Sequence, residues 1–150
     1  MKFTHLDRKQ RPRMVDVSGK PASRRTAKAA GFIRLCPGTV TLIRRSRMKK
    51  GNVLLTAELA GVQAAKQTAS LIPLCHTLTL SKVCVEAVLK PKGVSVSSEV
   101  KCTGQTGVEM EALTAVSVAL LTVYDMCKAV DKSMVLSDIR LVEKIKEPEL

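Results

Sequence analysis

Residues 106–132 read TGVEMEALTAVSVALLTVYDMCKAVDK. Apolar side chains occupy nearly every face of a 100°-per-residue wheel drawn through this stretch, which predicts a helix buried in a core. Its few charges stand out: Glu111, Asp125 and Lys128 fall on one side, with Thr114, Ser117 and Thr122 beside them. A charge in apolar surroundings needs a partner or a chemical purpose. Thr106-x-x-Glu109 ahead of the apolar run has the form of a capping box, with Thr106 as cap and Glu109 returning to the Thr106 N–H. Asp125 and Lys128 stand three apart, within reach of an ordinary helix ion pair. In a buried setting the same pair would shift each other's pKa and serve as acid and base near neutral pH.

Outward from this helix, the punctuation of the chain gives the other elements. Residues 1–22 are polar, basic and broken by Pro12 and Pro21, and read as an extended arm with one apolar patch, Met14-Val15-Asp16-Val17. Arg25–Leu35 reads as a strand ending before Pro37, although its alanines fit a helix equally on propensity. Pro37–Arg47 has helical spacing at Val40, Ile43 and Arg44, and Val53–Ser70 is an alanine-rich helix stopped by Pro73. Pro73–Thr77 is a loop; Leu80–Leu89 and Val94–Cys102 alternate about Pro91-Lys92-Gly93, which makes a hairpin. Met134–Lys146 closes as a strand.

The order is strand, helix, helix, strand, strand, helix, strand. It predicts an α+β fold, a ferredoxin-like α/β plait with an antiparallel sheet and helices on one face, over residues 23–150 as a single catalytic domain behind the 1–22 arm. The uncovered sheet face calls for a second copy of the chain.

The formal net charge is +12, and fifteen of the 25 Lys and Arg residues lie in residues 1–50 against only Asp7 and Asp16. A basic segment on a near-neutral body suits a polyanionic partner, nucleic acid or a phosphorylated small molecule. Phe3, Phe32 and Tyr124 are the only aromatics, too few for the stacking platform of single-strand binders. Five scattered cysteines without a C-x-x-C pair fit free thiols in a reducing compartment, and the absence of a leader-like N-terminus gives a cytoplasmic expectation with no membrane partner. Three further groups could carry chemistry. His76 is one of two histidines, and Cys75 beside it is a weak nucleophile candidate. Lys49-Lys50-Gly51-Asn52 before a helix suits phosphate as well as it suits a solvated turn.

Six stretches in order, Met14–Ser18, Lys50-Gly51, Ala60–Lys66, Leu71–His76, Thr106–Thr114 and Tyr124–Val130, resemble the cyclic pyranopterin monophosphate synthases of molybdenum cofactor biosynthesis. The resemblance covers residues 4–145. It implies a lyase-type enzyme that converts a GTP-derived (8S)-3′,8-cyclo-7,8-dihydroguanosine 5′-triphosphate into cyclic pyranopterin monophosphate and releases pyrophosphate. It marks Asp125 as the principal catalytic residue, with Lys128 and Lys50 as partners in proton transfer and phosphate handling. It places Leu74, Cys75, His76, Met110 and Glu111 against substrate, with Glu109 and Arg25 as further pocket residues. It implies a homohexamer, a trimer of dimers, with sites between subunits and Arg25 serving a neighbour's pocket. No sequence feature calls for a cofactor; a triphosphate substrate can bring a divalent cation with it.

Three positions depart from the family pattern: Asn52 replaces an Asp, Thr77 replaces a Pro, and the chain ends at Lys144-Ile-Lys-Glu-Pro-Glu-Leu150 where a Gly-rich, Lys-containing tail is usual. The competing readings are a basic RNA-binding plait and a non-catalytic nucleotide-binding relative.

Overall fold

The computed structural model describes residues 6, 7 and 9–148; Phe3 and the ends of both the arm and the C-terminal tail lie outside the described residues. The chain runs β1 (Ser23–Arg34), α1 (Pro37–Arg44), α2 (Val53–Lys66), a short α3 (Thr68–Leu71), β2 (Leu80–Lys90), β3 (Gly93–Gly104), α4 (Glu109–Cys127) and β4 (Val135–Pro148). The strands form one antiparallel sheet in the order β2-β3-β1-β4, the ferredoxin-like plait expected. Strand β1 takes the strand alternative of its alanine-rich sequence because β3 and β4 both pair along it. Alternation then sends Ala27, Ala29 and Ile33 into the core, while Lys28 and Phe32 point to the open face.

The second helix ends four residues sooner than expected. The Thr68 hydroxyl donates to the carbonyls of Ala64 (3.2 Å) and Ala65 (3.0 Å), and the chain resumes as α3 after a break at Gln67. Helix α2 starts where Asn52 caps it, its Oδ1 accepting the Leu55 N–H at 3.0 Å; the departure from Asp therefore keeps the capping function. Gly51 turns into this cap at φ +93°, backbone open to glycine and costly for other residues.

Helix α4 is the centre of the molecule. Ala112, Ala115, Val116, Ala119, Leu120 and Val123 are wholly buried between the sheet and α2. Small residues set the spacing: a Cβ on Gly61 of α2 would stand 2.9 Å from the Ala115 carbonyl oxygen. By length and composition α4 is apolar enough to cross a membrane, but that apolar surface is the core of the domain. The open sheet face carries a lone aromatic, Phe32, among the described residues, together with the ion pairs Lys28–Glu143 (2.5 Å) and Lys82–Glu99 (2.7 Å). Along β4, the apolar residues Val135, Ile139, Leu141, Val142 and Ile145 are exposed.

Candidate functional site

The chemistry-bearing residues gather at the two ends of α4. At its N-terminal end, a cavity of about 490 Å³ is bounded by the α3–β2 loop through Leu74, Cys75, His76 and Leu78, by Thr106, Gly107, Glu109, Met110 and Glu111, and by Val15, Val17 and Lys20 of the arm. Six of the ten residues singled out in the sequence thus share one pocket: Leu74, Cys75, His76, Glu109, Met110 and Glu111. The arm residues, Leu78, Thr106 and Gly107 were not foreseen as lining. The signal for the arm was present, since Val15 and Val17 stand two apart in an extended segment and so face the same way.

The capping box is not formed. Helix α4 begins at Glu109, with Val108 as its cap residue and no side-chain cap bond, two residues later than Thr106 would place it. The Glu109 carboxylate instead pairs with the Lys144 ammonium of β4 and folds back over Gly107, where a Cβ would collide with it. Burial works against ionisation of Glu109, but Lys144, the Glu109 backbone N–H and the Arg25 charge together outweigh it and hold the carboxyl below its ordinary value. Glu111 is only 4% exposed and has no salt-bridge partner among the described residues; burial pushes its pKa up, and the Glu109 charge adds to this. Burial, and then the nearby Glu111, pushes the Cys75 thiol up as well, which makes it a poorer nucleophile still. The His76 ring is half-buried, with Nε2 2.7 Å from the Val15 carbonyl oxygen. Arg25 is not part of the pocket lining. Its Nη2 donates to the Gln105 carbonyl at 3.2 Å, and its buried Nε has no partner.

At the other end, Asp125 holds two lysines. Lys128 Nζ is 2.6 Å from Oδ1, and Lys50 Nζ is 2.8 Å from Oδ2 and 3.0 Å from the Asp125 carbonyl oxygen. Lys128 and then Lys50 depress the Asp125 carboxyl to about 2, and Asp125 in turn raises the Lys128 ammonium. The expected burial of this pair is not found: the Asp125 and Lys128 side chains are 55% and 56% exposed, because the last turn of α4 emerges beyond the core. The expectation of a single polar wall joining Glu111, Asp125 and Lys128 is also overturned. Fourteen residues of helix separate Glu111 from Asp125, ~21 Å at 1.5 Å per residue.

The lysine-bearing end is anchored by a residue the sequence reading passed over. Asp131, 3% exposed, accepts the Cys36 N–H at 2.7 Å and the Ser133 N–H and hydroxyl at 3.0 Å. Burial alone would raise it, but these bonds hold the carboxyl at about 2. The turn after α4 is thereby tied to the start of α1.

A packed core needs neither an unpaired buried carboxyl nor two lysines converging on one aspartate, so the class of protein defined here is an enzyme built on a ferredoxin-like plait. Residues 14–147 match the MoaC family. The chain is 56% identical over 145 residues to the cyclic pyranopterin monophosphate synthase of Parvibaculum lavamentivorans, covering 95% of this chain and 91% of that one. It is 51% identical over 144 residues to the enzyme of the same name from Peptoclostridium acidaminophilum, covering 96% and 92%. It is also 56% identical over 144 residues to the molybdenum cofactor biosynthesis bifunctional protein of Chlorobaculum tepidum, covering 96% of this chain but 46% of that protein, about half its length. The chain belongs to the MoaC family.

Proposed function

We propose that this chain is a cyclic pyranopterin monophosphate synthase: it converts (8S)-3′,8-cyclo-7,8-dihydroguanosine 5′-triphosphate to cyclic pyranopterin monophosphate and pyrophosphate, in molybdenum cofactor biosynthesis in the cytoplasm. The observation that carries this reading is the gathering of Leu74, Cys75, His76, Met110 and Glu111 in one cavity, in a chain whose relatives bear that name. A pocket with two carboxyls suits a ring system rich in N–H donors, as a guanine-derived base is. The lysines at the other end suit phosphate and the charge that spreads as pyrophosphate leaves.

Ring chemistry and phosphate cyclisation need their acid, base and cations within hydrogen-bond reach of one substrate. A separation of ~21 Å within a subunit does not meet this requirement. The proposal is therefore that sites are completed between copies in a homohexamer, a trimer of dimers, in which the Asp125–Lys128–Lys50 cluster of one subunit faces the His76–Glu111 pocket of another, with Arg25 added from a neighbour. The exposed apolar residues of β4 and the open sheet face supply surface for such contacts. Covering the lysine cluster would also give the dry surroundings that the free subunit lacks. Lys128 enters as an ammonium and so as the proton donor, held by Asp125, while Lys50 contacts phosphate. A divalent cation, where used, comes with the triphosphate.

The direct test is to supply the cyclised intermediate to the purified chain and measure pyrophosphate together with the cyclic product. Formation of both is expected; neither appearing at enzyme concentrations comparable to substrate would overturn the reading.

A further inference from the structure

Among the described residues, one hydrogen bond joins the arm segment 6–20 to the rest of the chain: His76 Nε2 to the Val15 carbonyl oxygen, 2.7 Å. A carbonyl oxygen can only accept. The nitrogen facing it must carry a hydrogen, in the neutral ring as in the protonated one. The neutral ring is then the Nε2–H tautomer, and Nδ1 is left as its one acceptor. Nδ1 has no hydrogen-bond partner among the described residues, and the ring lines the cavity.

The Val15 carbonyl is not a loosely hung group. Directly after it, Asp16 Oδ1 accepts the Ser18 N–H at 2.9 Å and the Ser18 hydroxyl, and the Lys20 N–H donates to the Val17 carbonyl at 2.9 Å. This turn fixes the path of the segment, and the half-buried Val15 and Val17 seat it against the pocket.

We propose that the arm is a positioning element of the site: the Val15 carbonyl locks His76 as its Nε2–H tautomer, so that Nδ1 accepts a hydrogen bond from a substrate N–H or O–H. A proton gained at Nδ1 leaves the Nε2–H bond to Val15 in place, so the ring can take and return a proton without releasing the arm. This rests on the assignment of the cavity as the substrate site, but its first two readouts do not depend on turnover.

The test uses the full chain with 15N-labelled histidine. Two histidines, His5 and His76, make assignment direct. The expected result is a His76 ring fixed with a pyrrole-type Nε2 and a pyridine-type Nδ1, and a mixture of tautomers in the Val15→Gly, Val17→Gly double variant. Trypsin cleavage after Arg13, whose next residue is Met14, should be ~10-fold faster in that variant and in His76→Ala than in the parent chain. His76→Gln extends an amide N–H toward the Nε2 position but offers nothing equivalent to Nδ1. It should keep the parent's resistance to trypsin and lose turnover by ~10². His76→Asn should lose the resistance. An Nδ1–H ring in the parent chain, a ring unchanged in the double variant, or full turnover by His76→Gln would each overturn the proposal. Failure of the synthase reading alone would leave the tautomer and trypsin results standing.

Discussion

The Lys50 ammonium lies 2.8 Å from Oδ2 of Asp125 across 75 residues of sequence, while Oδ1 is taken by Lys128 from the same helix. One carboxylate therefore sets the position of both lysines. Asp125→Asn keeps the size of the side chain and removes its charge. Because all three side chains are exposed in the subunit, the thermal midpoint of the dissociated subunit should move little. Turnover should fall by ~10² to 10⁴, the range for removing an acid–base partner. Near-full activity in the folded variant would contradict the role given to this cluster.

If the cluster of one copy serves the pocket of another, two inactive chains should repair each other. Mixing Glu111→Gln with Asp125→Asn subunits after dissociation and reassembly should restore about a quarter of wild-type activity: half of the dimers are mixed, and one of two sites in each is intact. Sites formed within one subunit would give no recovery.

Glu111 should set stability against function. Its pKa in the folded chain lies above the unfolded value of 4.5, so the folded state binds the proton more tightly. Stability contributed by this group is then lost as pH rises from 4.5 through the raised value. Glu111→Gln should raise the thermal midpoint at pH 7 by a few degrees, with the gain vanishing near pH 4, while substrate turnover collapses. A midpoint gain of equal size at both pH values would count against burial of the charge as the cause.

Asp131 makes the opposite prediction. Its pKa is depressed to about 2 against 3.8 unfolded, so its contribution is present above 3.8 and lost as pH falls toward 2. Asp131→Ala leaves the Cys36 and Ser133 N–H groups without their acceptor, at a cost of ~1–3 kcal/mol. Thermal unfolding should show this at pH 7 and much less at pH 2. Activity should fall ~10-fold through loosening of the turn beside Lys128, with substrate affinity at the distant pocket unchanged.

Much of the fold was legible because its punctuation is local. Pro37 opens α1, Pro91-Lys92-Gly93 marks the hairpin, and alternation in β2 and β3 shows which residues face the core. The site was legible residue by residue through the motif resemblance, and its layout was not. A helical wheel projects along the axis, so Glu111 and Asp125 appeared as neighbours although the helix holds them at its two ends. Burial was misjudged for a related reason: an apolar average over 27 residues hides a final turn that leaves the core. The missing cap at Thr106 reflects competition, since Glu109 finds Lys144 of β4, 35 residues on, a stronger partner than a backbone N–H. The arm's part in the pocket was missed because two valines amid basic residues carry little weight until His76 is seen to bind between them.

Helix α4 also acts as a gauge. Its Glu111-to-Asp125 span fixes how far apart two neighbouring chains must place their contacts if a pocket and a lysine cluster are to meet, and its inner face, with Ala115, Val116, Ala119, Leu120 and Val123 all buried, leaves no room to adjust that length. A single residue inserted near Ala119 would turn one end by about 100° relative to the other and lengthen the span by ~1.5 Å. Loop insertions elsewhere change one surface, but this insertion would put both ends of any site shared between two chains out of register at once.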